Sequence, residues 1–139
     1  MNNVALRIGG KIYQDIVGQC REQYPGEACG ILAGKNGLAQ KLFRMDNVSE
    51  NPRICYFMEP KQQLEVFKEI RQLNLDMIAI YHSHIGAPAY PSKRDVDMAF
   101  YPETLYLIIS LDDKRVTESR VFSIRDGSIK EEEMVVEGN

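Results

Sequence analysis

Tryptophan is absent from the 139 residues, and histidine occurs only twice. Cysteine is scarce too. Cys20, Cys29 and Cys55 form no C-x-x-C pair, and an odd count cannot close into a disulfide framework. Each reads first as a small buried apolar residue. No apolar run approaches the roughly 20 residues that span a bilayer. The opening stretch, Met1-Asn2-Asn3-Val4-Ala5-Leu6-Arg7, lacks the long apolar segment that directs secretion. Basic residues are not in excess: 17 Lys and Arg against 20 Asp and Glu leave a formal net charge of −3. That balance offers no cationic footprint for nucleic acid or an anionic membrane. These absences point to a cytoplasmic protein with neither nucleic acid nor lipid as partner.

The remaining composition, 44% hydrophobic and 27% charged, is that of a globular chain able to bury a core as one domain, 1–139. Residues 4–8 alternate as a short strand. Ile12, Ile16, Val17, Cys20 and Tyr24 recur at helical spacing, and Tyr24-Pro25-Gly26 stops that helix. Residues 28–33 form an apolar run. Asn36-Gly37 then signals a tight hairpin into a return strand over about 38–48. A further strand is expected over 54–58. Glu59-Pro60 opens a helix whose stripe is Leu64, Phe67, Ile70 and Leu73, with Val66 beside them. Residues 77–84 read as a strand, 92–100 as a short helix, and 105–111 as a central strand. Asp113-Lys114 and Asp126-Gly127 separate two last strands. This order predicts an α/β fold, a mixed β-sheet with flanking helices.

The two histidines are informative because of where they fall. His82 and His84 end the apolar run Met77-Ile78-Ala79-Ile80-Tyr81, and alternate residues of a strand share a face. Both imidazoles therefore project together from a rigid element, while Ser83 points to the opposite side. A carboxylate from a nearby helix start would complete a three-ligand zinc site with an open fourth position, the layout of a catalytic rather than a structural metal. Asp95 fits two readings equally. It can be that ligand, or it can close a capping box with Ser92 at the helix start. An activated water needs a base. Glu27 stands out among many acids because it directly precedes the run Ala28-Cys29-Gly30-Ile31-Leu32, and Cys29 would then lie near the site.

Together, Glu27-Ala28-Cys29-Gly30, His82-Ser83-His84 and, after seven intervening residues, Ser92-x-x-Asp95 resemble the JAMM (MPN+) zinc metallopeptidase motif, a distant Glu followed by H-S/T-H-x7-S-x2-D. Similarity covers nearly the whole chain, including Tyr56-Phe57-x-x-Pro60 and Leu107-Ile108-Ile109-Ser110. Ile85 departs from the proline that many members carry after the second histidine, which bears on loop shape rather than ligation. The resemblance implies a cytidine deaminase-like three-layer α/β/α arrangement and one Zn²⁺ held by His82, His84 and Asp95. It implies Glu27 as general base and then acid, and Ser92 as a hydroxyl stabilising the oxyanion. Ser83 and Cys29 would support the site from behind. The chain looks most similar to small prokaryotic members that process ubiquitin-like sulfur-carrier proteins ending in Gly-Gly, releasing a C-terminal extension or a carrier-bound amino acid such as cysteine. A deubiquitinase-like isopeptidase and a non-catalytic scaffold are the alternatives, although scaffolds of this type lack the ligands that this chain retains. A zinc nucleobase deaminase needs H-x-E with a C-x-x-C pair, and neither is present. The carrier, the leaving group and homodimerisation stay open.

Overall fold

A computed structural model describes residues 4–138, so Met1, Asn2 and Asn3 of the opening stretch lie outside the described residues. Strand β1 (Val4–Gly9) leads into helix α1 (Gly10–Gln23), and β2 (Cys29–Lys35) pairs with β3 (Leu38–Met45). Helix α2 (Pro60–Gln72) precedes β4 (Asp76–Ile85), the short helix α3 (Lys93–Asp97) and β5 (Leu105–Asp112). Strands β6 (Arg115–Arg125) and β7 (Ser128–Glu137) complete the order. The sheet runs β1-β3-β2-β4-β5-β6-β7 and closes on itself where β1 pairs parallel with β7. It is mixed: β4 and β5 are parallel, while β2 and β6 run antiparallel to their partners in the middle of the sheet.

Local chemistry explains the connections. Asn36-Gly37 and Asp126-Gly127 adopt positive φ (54° and 78°, 51° and 79°), as a two-residue hairpin matched to strand twist requires. Glu59 caps α2, accepting from the Lys61 and Gln62 amides, and Pro60 occupies the first turn, where its missing N–H costs nothing. Each face of the sheet buries its own core. Ile16 and Cys20 of α1 pack with Leu6, Leu32, Leu107 and Ile109 on one side. On the other, Ile70 of α2 packs with Ile31, Ile80, Ile108 and Phe122, with Val66, Phe67 and Val96 of α3 lying against them.

Several boundaries differ from the sequence reading. Residues 54–58 form no strand; only Met58 bridges to Asn47. The reason is a side chain, because the Asn47 amide takes the Cys55 carbonyl and the Phe57 N–H that a ladder would use. Strand β3 ends at Met45, three residues short of Val48, and the amide of the next residue, Asp46, donates to Gln62 of α2. Helix α3 stops at Asp97 rather than Phe100, and Phe100 is exposed. Leu64 lies on the side of α2 away from Val66 and is exposed, as is Leu73 beyond its last turn. Val66, Phe67 and Ile70 alone carry that helix's apolar contact.

One buried polar side chain ties helix to sheet. Gln19 of α1 donates to the Cys29 carbonyl (2.9 Å) and accepts from the Tyr81 hydroxyl of β4. Tyr81 lies over Gly30 so closely that an added Cβ would sit 2.2 Å from its hydroxyl and 2.3 and 2.4 Å from ring carbons. Gly30→Ala is therefore expected to cost roughly 1–3 kcal/mol by overpacking. Tyr81→Phe, which strands the Gln19 oxygen, is expected to cost about 1–3 kcal/mol. Because the ring carbons remain, the double variant is no more stable than Gly30→Ala alone. Urea unfolding midpoints check this, and a full rescue by Tyr81→Phe would contradict it.

Candidate functional site

His82 and His84 occupy the end of β4 on the α2 side, and Asp95 stands in the first turn of α3. Their facing atoms meet closely. His82 Nε2 and His84 Nε2 are 3.1 Å apart, and Asp95 Oδ2 lies 3.0 Å from His84 Nε2 and 3.3 Å from His82 Nε2. His84 Nδ1 lies 2.8 Å from the Pro88 carbonyl and must donate to it, which leaves Nε2 as a lone pair in the neutral ring. Burial drives the fully enclosed His82 toward its neutral form, whereas His84, though burial opposes its charge, is raised by its contacts with Asp95 and the Pro88 carbonyl. Asp95 is desolvated, yet the two histidines that face it and the Ser92 amide hold its carboxyl well below the usual range. Three atoms able to act as electron-pair donors thus crowd one point. Their spacing fits the edges of a tetrahedron with bonds of about 2.0–2.1 Å, near 3.3 Å. The three residues are a group suited to holding a metal ion.

The capping box is present, and the oxygen that completes it also faces the histidines, so the two readings of Asp95 do not exclude each other. Oδ2 faces the histidines and also accepts from the Ser92 amide at 2.9 Å, while Ser92 Oγ accepts from the Asp95 amide at 3.1 Å. The capping box thereby aims the carboxylate. Ser92 Oγ uses a lone pair in this contact and keeps its hydrogen available.

Glu27 lies just before β2 and is 5% exposed. Burial pushes its carboxyl up to about 8, with His84 and Arg94 opposing the rise and Asp95 adding to it. Those three neighbours mark the space that it faces. The strand of histidines is locked to this segment from the opposite side. Ser83 Oγ accepts from the Ala28 amide (2.8 Å), and the Ser83 amide donates to the Ala28 carbonyl (3.0 Å). Cys29 is fully buried opposite His82 in the pairing of β2 with β4, and burial pushes its thiol up to about 12, so it packs as a neutral side chain.

Two contributors carried no clear sequence signal. The Tyr56 ring stacks on His82, with centroids 4.5 Å apart and planes 25° from parallel. Asn47 bonds the Glu27 carbonyl (2.9 Å). Asn47 sat inside an expected strand, and only an asparagine at a strand end, a poor ladder residue, hinted at a separate duty. Beside Asp95 opens a cavity of about 140 Å³ floored by Tyr56, Met58, Ile80 and Tyr106, with the exposed Phe57 and Phe100 among its walls.

Known proteins share this arrangement of elements and sequence. The CysO-cysteine peptidase of Mycobacterium tuberculosis is 33% identical over 129 residues, which cover 91% of this chain and 88% of that protein. A desampylase of Haloferax volcanii is 29% identical over 118 residues, 81% of this chain and 85% of its own. The solution structure of a Desulfitobacterium hafniense protein superposes with a TM-score of 0.84 at 29% identity, covering 96% of this chain and 94% of the other. The family model described as prokaryotic homologs of the JAB domain matches residues 10–124. This chain belongs to the prokaryotic JAB family, the relationship that the Glu27, His82-Ser83-His84 and Ser92-x-x-Asp95 signature indicated.

Proposed function

We propose that this chain, a single JAB domain working in the cytoplasm, is a zinc-dependent peptidase that hydrolyses the amide bond after the C-terminal Gly-Gly of a ubiquitin-like sulfur-carrier protein. The convergence of His82 Nε2, His84 Nε2 and Asp95 Oδ2 within 3.0–3.3 Å carries this reading. The names of the mycobacterial and haloarchaeal relatives support the substrate class. His82, His84 and Asp95 would hold the ion. Bound there, zinc supplies Lewis acidity, which acidifies a water and polarises the scissile carbonyl.

The chain's own groups do the rest. Glu27 takes the proton of the attacking water and delivers it to the departing amine, a task suited to a buried carboxyl whose affinity for protons is raised. Ser92 donates its free hydroxyl hydrogen to the carbonyl oxygen as negative charge grows there. The two glycines before the scissile bond let the substrate backbone pass close to Asp95, since no Cβ intervenes. The apolar cavity beside Asp95 offers a seat for a bulkier side chain of the same tail.

Glu27→Gln is expected to lower cleavage of a carrier–Gly-Gly–peptide fusion by about 100-fold or more, with one zinc per chain retained. Mass spectrometry of the products and elemental analysis read the two quantities separately. Asp95→Asn or His84→Ala is expected to lose the zinc itself. Wild-type protein that held no zinc after titration with the metal would refute the reading.

Glu27 also links stability to pH in chelator-treated protein. The folded chain keeps this proton up to about pH 8, whereas the unfolded chain releases it near 4.5. Stability contributed by the neutral carboxyl is thus full below 4.5 and declines as pH rises toward 8. At pH 7 Glu27→Gln should be more stable than wild type by up to about 3 kcal/mol, with the gain vanishing near pH 4.5. Thermal unfolding in chelator across that range measures the difference.

A further inference from the structure

Asn47 spends its whole hydrogen-bonding capacity on backbone groups around the site. Its Nδ2 donates to the Glu27 carbonyl at 2.9 Å and the Cys55 carbonyl at 3.1 Å. Its Oδ1 accepts from the Ser49 and Phe57 amides, both at 3.0 Å. Two donors and two lone pairs are all that a carboxamide has. Beside Ser49, the partners are the residue proposed as base and the two residues that flank Tyr56. Residues 53–57 have no ladder of their own, so Asn47 stands in for one, aided by the Val48 amide on the Phe57 carbonyl (2.8 Å).

What Tyr56 does for the site follows from an unusual feature of His82. A metal-binding imidazole ordinarily donates its second nitrogen to a carbonyl or carboxylate, which sets the ring's orientation. His84 has such a partner in Pro88, but buried His82 Nδ1 has none among the described residues. On the ring face, Tyr56, with centroids 4.5 Å apart and planes 25° from parallel, restrains His82 in place of such a bond.

We propose that Asn47 is the positioning residue of this site: one carboxamide holds Glu27 directly and orients His82 through the stacked ring of Tyr56. The proposal rests on the zinc reading above, and its test separates the two. Zinc affinity of the full-length protein is measured by competition with a chromogenic chelator for wild type, Tyr56→Leu, Tyr56→Phe, Asn47→Ala and the Asn47→Ala/Tyr56→Leu double variant. Tyr56→Leu leaves every Asn47 bond in place, since those bonds go to the backbone of residues 55 and 57. It is expected to weaken zinc binding about 10-fold or more, with Tyr56→Phe restoring wild-type affinity. Asn47→Ala is expected to weaken zinc binding similarly, and the double variant no further than Tyr56→Leu alone, because both act on one ring. Asn47→Ala should lower kcat beyond its effect on zinc, through Glu27, when assayed at saturating metal.

Ile16→Ala, a cavity on the opposite face of the sheet, controls for lost stability and should leave zinc affinity unchanged. If Asn47→Ala does not fold, Tyr56→Leu against Tyr56→Phe still decides the stacking half, and Asn47→Asp, which keeps the acceptor and loses both donors, replaces it in the cycle. Wild-type affinity in Tyr56→Leu, or strictly additive losses in the double variant, overturns the proposal. Failure of wild type to bind zinc overturns instead the reading beneath it.

Discussion

Three lone-pair atoms of His82, His84 and Asp95 stand within 3.0–3.3 Å of one another in a place largely shut off from water. Polar atoms so placed have little access to water, and bringing them together costs free energy that the fold must supply. The surrounding structure supplies the constraint that keeps them together. Strand β4 is held on both sides, antiparallel to β2 and parallel to β5, so its two alternate side chains cannot drift apart. The capping box turns the same carboxylate oxygen toward them. Fold and site are therefore coupled at the end of one central strand.

The two faces of the sheet divide the labour. The side covered by α1 is largely apolar, and its buried Gln19 bonds Tyr81 and the Cys29 carbonyl. Ser83 reaches into that side to clasp Ala28, so the segment carrying Glu27 is tied to the histidine strand from behind. The side covered by α2 and α3 admits the polar residues of the site and the apolar cavity next to it. A carboxyl raised to about 8 at this junction of core and cleft is a local cost to stability at neutral pH. Such a cost is ordinary where a protein keeps an acid–base group ready.

Much of this was legible in the residue order. Strand alternation put His82 and His84 on one face, and the spacing of Ser92 and Asp95 matched a capping pattern. Asn-Gly and Asp-Gly located two hairpins, and helical periodicity found α1. Periodicity failed where side chains replaced regular hydrogen bonds. The stretch over 54–58 alternates like a strand, but Asn47 had already claimed its backbone groups. In α2 the leucines fit a helical stripe in one dimension, yet the helix presents Val66, Phe67 and Ile70 to the sheet and leaves Leu64 in solvent.

The chain alone determined the element types, the family signature and the identity of the converging side chains, because each depends on periods of two or 3.6 residues and on short fixed spacings. Tertiary structure decided what has no local period. It closed β1 onto β7, buried Glu27 far enough to raise its proton affinity, and laid Tyr56 over His82. It also placed the Asn47 amide between residues 20 positions before it and 10 after it. Those contacts join segments distant in sequence, and their energies arise only when the intervening chain has folded and water has left.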